Sequence, residues 1–174
     1  MDEKDTSNIS KIDGTACKGF SVKRGKINDI ILYSETRRID AGGLSANGSL
    51  ALCSTGDENK KLLQFMICGG TSLTLDNKNI ISSDIPVNCA MSFTAEGGNG
   101  IVESSSAGKF RIYSPANVVT CFVNGEKNVF ESSGNMIALK HPAGKNKIIF
   151  SCKDLEKAPE VEADIQQREY SNGQ

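Results

Sequence analysis

The sequence predicts an all-β fold: a two-layer antiparallel β-sandwich of about twelve short strands, with flexible N- and C-terminal tails. Between residues 20 and 152, apolar side chains recur at alternate positions, which is the period of a half-buried strand. Glycine, asparagine and serine interrupt this alternation at short intervals, and no segment before residue 153 favours a helix. Two stacked sheets bury the alternating faces, whereas a closed barrel is less favoured because the strand lengths are uneven.

The first two thirds of the chain divide into a leader and a series of short strands. Residues 1–19 are polar and charged, so we expect a flexible leader before a sandwich domain over residues 20–152. Asn47-Gly48 is expected to form a turn, and Gly69-Gly70 ends the most apolar run, which favours a buried central strand there over a short helix. Strands are expected at 20–22, 29–33, 37–40, 50–54, 62–68, 72–76, 80–81, 86–95 and 101–103, with Val87, Cys89, Met91 and Phe93 on one face.

The stretch from Lys109 to Cys152 shows the strand pattern most clearly. Asn124-Gly125 tolerates the positive φ angles of a type I′ turn, which joins two antiparallel strands. Alternation interrupted by turn residues predicts that the strands of this stretch form an antiparallel meander. These strands are expected at 110–113, 118–123, 129–130, 136–141 and 148–152, with Ile137, Leu139 and His141 on one face.

The remaining residues and the overall charge limit the classes of partner. Residues 153–174 are polar and are expected to form a tail or a marginal helix. The net charge is −1, from 20 basic and 21 acidic residues, so neither nucleic acid nor an anionic membrane is an expected partner. No window reaches the ~18 apolar residues of a membrane span, and the N-terminus lacks the apolar core of a signal peptide, so export of the chain as given is not expected.

Cysteine and histidine patterns do not predict a catalytic or metal site. The six cysteines include no CxxC pair, and His141 is the only histidine, so the spacing of a zinc site is absent and no cofactor is expected. Five cysteines lie in apolar strand segments, which favours buried free thiols; one or two disulfides are the alternative. His141 stands at a strand end before Pro142, where a structural imidazole is favoured over a catalytic base, so no catalytic residue is assigned.

Two groups of residues are candidates for ligand binding. Sugars are commonly held by an exposed aromatic ring beside polar side chains. Tyr113 is expected next to Arg111 on the outward face of one strand, and Tyr33 stands near Arg37 and Arg38 in the sequence. The alternative for both tyrosines is an amphipathic ring that packs over its own sheet.

Two stretches of the sequence together resemble a known family. Residues 62–93 read LLQFMICGGTSLTLDNKNIISSDIPVNCAMSF, an apolar strand, a Gly-Gly turn and a further strand after SSDIPV. Residues 108–152 contain VTCFVNGE before a final hairpin that ends in an apolar strand. This pattern is similar to the β-rich C-terminal portion of heparinase II/III-like polysaccharide lyases and covers residues 28–152.

The resemblance implies a role without catalysis for this chain. In those lyases a helical α/α-toroid and a β-sandwich hold the chemistry, with a tyrosine and a histidine in the reaction. This chain has no toroid, and Tyr33, Tyr113 and His141 match no catalytic motif of the family. The resemblance therefore implies an accessory β-sandwich of a bacterial polysaccharide-degrading protein, periplasmic or extracellular, which packs against a catalytic toroid domain and contacts polysaccharide. A structural or adhesive β-domain and a small all-β enzyme using His141 are the alternatives.

Overall fold

The computed structural model describes residues 7–56 and 60–159, and it confirms the all-β antiparallel sandwich. Every strand pair is antiparallel, and the hydrogen-bonded sheet does not close into a barrel. The fifteen strands are β1 Asn8–Asp13, β2 Lys18–Arg24, β3 Ile27–Tyr33, β4 Arg38–Ala41, β5 Leu44–Asn47, β6 Leu50–Gly56, β7 Lys61–Leu75, β8 Lys78–Thr94, β9 Gly97–Ser104, β10 Gly108–Tyr113, β11 Thr120–Val123, β12 Glu126–Asn128, β13 Glu131–Ser133, β14 Met136–His141 and β15 Gly144–Ser151.

One long hairpin, β7–β8, belongs to both layers of the sandwich. The first part of β7 pairs with β6 and its second part with β5, while β8 pairs first with β10 and then with β9. Sheet I therefore has the order β1-β2-β3-β6-β7-β8-β9-β15-β11-β12. Sheet II has the order β4-β5-β7-β8-β10-β14-β13.

The hairpin passes between the layers where the sequence predicted strand ends. Gly69 has a positive φ of 61°, and a Cβ on Gly70 would lie 2.2 Å from the Asn47 carbonyl oxygen. Gly70 pairs with Val87 and Ser72 with Ser82, so Ser83, Asp84, Ile85 and Pro86 form a bulge opposite Thr71. Pro86 has no N–H to donate, which suits a bulge better than a regular ladder. The four short strands expected between residues 62 and 95 are therefore two long ones.

The inward faces of both sheets form one hydrophobic core. The predicted faces of β8 and β14 are confirmed, because Val87, Cys89, Met91 and Phe93, and likewise Ile137, Leu139 and His141, are buried. Each fully buried Leu, Ile or Phe side chain contributes about 1.5–3 kcal/mol relative to exposure. The two most deeply buried cross-strand rows are Leu32, Ala51, Ile67, Cys89 and Val102 in sheet I, and Ile39, Ala46, Leu73, Ile81, Ile112 and Ile137 in sheet II.

The pairing order corrects two sequence predictions. Strands β10 to β15 do not form a meander, because β10 pairs with β14 and β8, and β15 pairs with β9 and β11. The Asn124-Gly125 turn between β11 and β12 is as predicted, with φ angles of 54° and 88°. Asn47-Gly48 forms no hairpin turn, since β5 and β6 both lie along β7.

The chain ends differ from the predicted tails in one respect. Residues 8–13, assigned to the flexible leader, form β1, which pairs with β2 along its length. All its side chains except the half-buried Ile12 are exposed, so β1 carries no apolar period from which a strand could be predicted. Residues 153–159 are irregular, and the predicted marginal helix otherwise lies outside the described residues. Within those residues, no helix is long and apolar enough to cross a membrane.

Candidate functional site

The strand register of sheet II places a line of mostly polar side chains across its outer face. Directly opposed residues of antiparallel strands lie on the same side of a sheet. The neighbours of these residues along each strand, such as Ile39, Ile81 and Ile112, are buried, so the line itself faces outward. We call this line the polar row; it consists of Arg38, Asn47, Ser72, Ser82, Arg111, Ala138 and Glu131.

A groove of about 730 Å³ lies over one half of the polar row. Ala138 separates Arg111 from Glu131, and its small side chain leaves space between these two charged groups. Val129, which is 91% exposed, and the half-buried Phe130 form an apolar wall. We call this the larger groove; its lining comprises Ser82, Ser83, Asp84, Lys109, Phe110, Arg111, Asn128, Val129, Phe130, Glu131, Ala138, Leu139 and Lys140.

The β8 bulge shapes one side of the larger groove. The Asp84 carboxylate accepts a hydrogen bond from the Lys109 backbone N–H at 2.9 Å. The Ser83 hydroxyl donates to the Lys109 carbonyl at 3.4 Å and accepts from the Ile85 N–H at 3.3 Å. These bonds fix the bulge to β10, so the polar groups of Ser83 and Asp84 mainly hold the groove wall in place.

A second groove, of about 460 Å³, lies over the other half of the polar row. Arg37 and Arg38 line it together with Asp40 and Asn47. Arg37 has a positive φ of 59°, and its carbonyl accepts a hydrogen bond from the Gly48 N–H at 3.0 Å. This turn directs Arg37 and Arg38 to the same groove, although they are consecutive residues. We call it the smaller groove; Thr36, Ile39, Ser45, Ala46 and Ser72 complete its lining.

The two grooves adjoin and share an excess of positive charge. Ser72 of the smaller groove is directly opposite Ser82 of the larger one, so about 5 Å separates their Cβ atoms. The grooves together contain five cations, Arg37, Arg38, Lys109, Arg111 and Lys140, and three carboxylates, Asp40, Asp84 and Glu131. In the described part of the chain, none of these five cations forms a salt bridge. They are therefore available to bind an anionic ligand.

The structure brings together some of the predicted site residues and separates others. Arg111 lines the larger groove, and Arg37 and Arg38 line the smaller one. Tyr113 lies on the same face as Arg111, but the Lys78 ammonium is 4.8 Å from its ring centroid. Tyr33 lies on the outer face of sheet I, so it does not join Arg37 and Arg38.

Sequence reasoning missed the residues that come together only through strand pairing. Asn47, Ser72 and Ser82 belong to strands that are distant in sequence from Arg111, and no local motif marks them. Val129 and Phe130 were expected to form a strand, yet they lie between β12 and β13. The adjacent apolar residues Val129 and Phe130 are the one sequence signal that could have pointed to this groove wall.

His141 lies inside the sandwich and lines neither groove. It is 2% exposed, and its ring centroid is 5.1 Å from that of Phe110. Its Nδ1 atom is 2.9 Å from the Pro142 carbonyl oxygen and 3.3 Å from the Ser104 hydroxyl, while Nε2 has no hydrogen-bond partner. His141 is therefore not placed to act as a base on a ligand in either groove.

The thiols are free and mostly buried. All six cysteines are unpaired, and burial raises the pKa of Cys53 and of Cys121 to about 12. Burial also raises the pKa of Cys89. These three thiols are protonated at neutral pH, which excludes them as nucleophiles. Among residues 7–56 and 60–159, no three His, Cys, Asp or Glu side chains lie close enough to hold a metal ion.

The outer face of sheet II is thus a surface with two adjoining grooves, cationic side chains and one apolar wall. Comparison with known proteins adds no functional assignment: no protein-family model and no curated protein matches the chain.

Proposed function

We propose that this domain binds an acidic polysaccharide on the outer face of sheet II, as the non-catalytic accessory β-sandwich of a bacterial polysaccharide-degrading protein. The observation that carries the proposal is the polar row, which contains Arg38 and Arg111 and joins two grooves that together hold five cations. The resemblance to the sandwich region of heparinase II/III-like lyases points to the same class of ligand.

The charged groups favour an extended ligand with more than one anionic group. Guanidinium groups bind carboxylate or sulfate through two parallel hydrogen bonds, so Arg38 and Arg111 suit uronic acids or sulfated sugars. Arg38 on β4 and Arg111 on β10 are four strands apart, which corresponds to about 19 Å at a strand spacing of about 4.8 Å. A ligand that contacts both arginines must be extended over several sugar units.

The uncharged groups favour a sugar over a nucleotide. Pyranose rings present apolar C–H faces and polar hydroxyl edges. The Val129–Phe130 wall offers an apolar contact for the C–H faces. Asn47, Ser72 and Ser82 offer hydrogen-bond donors and acceptors for the hydroxyl groups. The grooves hold no exposed aromatic pair between which a nucleobase could stack.

Catalysis is assigned to a separate domain in this proposal. The lone histidine is buried in the core, and the three most buried thiols are protonated at neutral pH. The domain then contributes to degradation by holding polymer near a catalytic α/α-toroid. A structural or adhesive role without carbohydrate is the second candidate, and it is favoured by edge strand β1, whose Ile9 is 64% exposed.

Titration calorimetry with purified chain and oligosaccharides tests the proposal. We expect binding to polygalacturonate or heparin fragments of six or more sugar units, and no binding to neutral dextran. Arg38→Gln and Arg111→Gln should each weaken binding about tenfold, because each removes a charge-assisted contact worth about 1.4 kcal/mol. Lys26→Gln is the control, since it removes one exposed charge in the β2–β3 turn, outside both grooves. Absence of binding to any acidic polysaccharide, or equal losses in all three variants, would refute the proposal.

A further inference from the structure

The outer face of sheet I carries a line of apolar side chains. The strand register places one outward apolar residue on each of six consecutive strands, and Lys11 and Lys147 continue the line at its two ends. We call these six residues the apolar row; they are Phe20, Ile31, Leu52, Met66, Ala90 and Ile101.

The apolar row is accessible and extends into the neighbouring rows. Phe20 is 48% exposed and Ile101 39% exposed, and Ile31, Leu52 and Met66 are half-buried by their neighbours. Tyr33, 48% exposed, widens the apolar surface on one side together with the half-buried Leu50, and Val22 widens it on the other. The outward side chains of an antiparallel sandwich are normally polar, so an unbroken apolar line across six outward strands indicates a contact surface.

A buried carboxylate beside the apolar row is already neutralised. Asp29 follows in the adjacent row and is 6% exposed. Its carboxylate accepts hydrogen bonds from Arg24 and from the Ser54 hydroxyl, and the Gln64 amide donates to that hydroxyl at 2.9 Å. Covering this face therefore buries Asp29 as a paired carboxylate, whereas an unpaired one would cost several kcal/mol.

We propose that this face is the contact surface between two copies of the chain. The register spreads the apolar row over six neighbouring strands, and neither the larger nor the smaller groove includes one of its residues. A broad sheet face packs best on another sheet face, about 10 Å away, and a second copy supplies one with the same apolar row. Such a twofold contact is self-complementary.

The size of the face agrees with a modest dimer. Six strands about 4.8 Å apart and three side-chain rows about 7 Å apart give about 600 Å² per copy once side-chain radii are included. Two copies would bury about 1,200 Å², which is at the lower end of specific interfaces. We therefore expect a dissociation constant in the micromolar range.

Sedimentation equilibrium of the full chain tests this proposal independently of any glycan. The 18.6 kDa chain should approach twice its mass as its concentration rises from about 1 to 500 μM. Ile101→Lys and Phe20→Lys should each raise the dissociation constant at least tenfold, because each places a charge in the apolar contact. Both side chains are partly exposed, so the folded chain tolerates the change, and a thermal melt of each variant checks this.

Val129→Lys is the matched control. It adds the same charge at a 91% exposed position on the outer face of sheet II, and it should leave the dissociation constant unchanged. A wild-type chain that stays monomeric at 500 μM would overturn the proposal. So would a dimer that Ile101→Lys and Phe20→Lys leave intact, or one that Val129→Lys weakens equally.

Discussion

Gly70→Ala should destabilise the sandwich, because β7 and β5 approach each other too closely at this position to admit a side chain. A Cβ at Gly70 would lie 2.2 Å from the Asn47 carbonyl oxygen and 2.4 Å from Cδ1 of Ile67. The carbonyl is backbone and cannot rotate away, so β5 must move by about 1 Å from β7. Gly70 lacks a positive φ, so the predicted cost is steric and not conformational.

The loss of stability follows from two destabilising contributions and one stabilising contribution. Overpacking of this kind costs about 1–3 kcal/mol. Weakening one or two ladder hydrogen bonds between β5 and β7 adds about 1 kcal/mol. Replacing glycine restricts the unfolded chain and returns about 0.4–1 kcal/mol. The free energy of unfolding should therefore fall by about 1–3.5 kcal/mol.

Urea denaturation followed by circular dichroism measures this loss. The midpoint should fall while the slope with denaturant stays constant, since the surface exposed on unfolding is unchanged. Gly56→Ala is the control: Gly56 also lies in a strand, and its nearest Cβ neighbour would be 3.9 Å away, so its effect should stay within 0.5 kcal/mol (about the range of neutral surface changes). Equal stabilities of the two variants would show that the close approach at Gly70 does not constrain the fold. Because Asn47 belongs to the polar row, Gly70→Ala should also weaken glycan binding.

Three further predictions concern thiols, a surface carboxylate and ionic strength. Cys53 should stay unreactive towards a thiol reagent at pH 8, because a group with a pKa of about 12 is protonated there, and it should react in urea. The half-buried Cys68 should react in the native protein. Equal rates for the two thiols in the native protein would contradict this prediction. The pKa of Asp154, measured by NMR, should lie below its ordinary value because the Lys127 ammonium donates a hydrogen bond to the carboxylate and carries the opposite charge. Lys127→Gln should raise that pKa, and an unchanged pKa would exclude the ion pair. Acidic-glycan affinity should fall steeply as salt rises from about 50 to 500 mM, with a shallower dependence in Arg111→Gln, whereas a salt-independent affinity would exclude ion pairing as its main source.

The sequence was sufficient for the layers but not for the pairing order. Alternation along residues 86–95 identified the buried face correctly, because burial on one side imposes a period of two on each strand separately. Gly69-Gly70 and Pro86 were taken as strand ends, since a bend between layers uses the same residue types as a turn. β1 was missed because only Ile12 of its side chains packs against the core, and one inward residue sets no period.

The residues of the candidate site were likewise predictable only where a single strand determines their position. Arg111 was identified because outward parity can be read within one strand. Ser82 becomes its neighbour only because β10 pairs with β8, and Glu131 joins the same row only through β14; this pairing is a property of the whole chain. The proximity of Tyr33 to Arg37 in sequence was misleading, because the chain passes from sheet I to sheet II between them.

The β7–β8 hairpin has a consequence for how the molecule opens. Its two strands supply hydrogen-bond partners to four different strands, two in each sheet. Detaching one sheet would therefore also break hydrogen bonds between strands of the other sheet. Partial unfolding that leaves a single sheet intact is costly for this reason. Native-state hydrogen exchange should find the amides of Phe65 and Ile81 opening together, in the same global event, while the edge amides of β1 exchange far earlier.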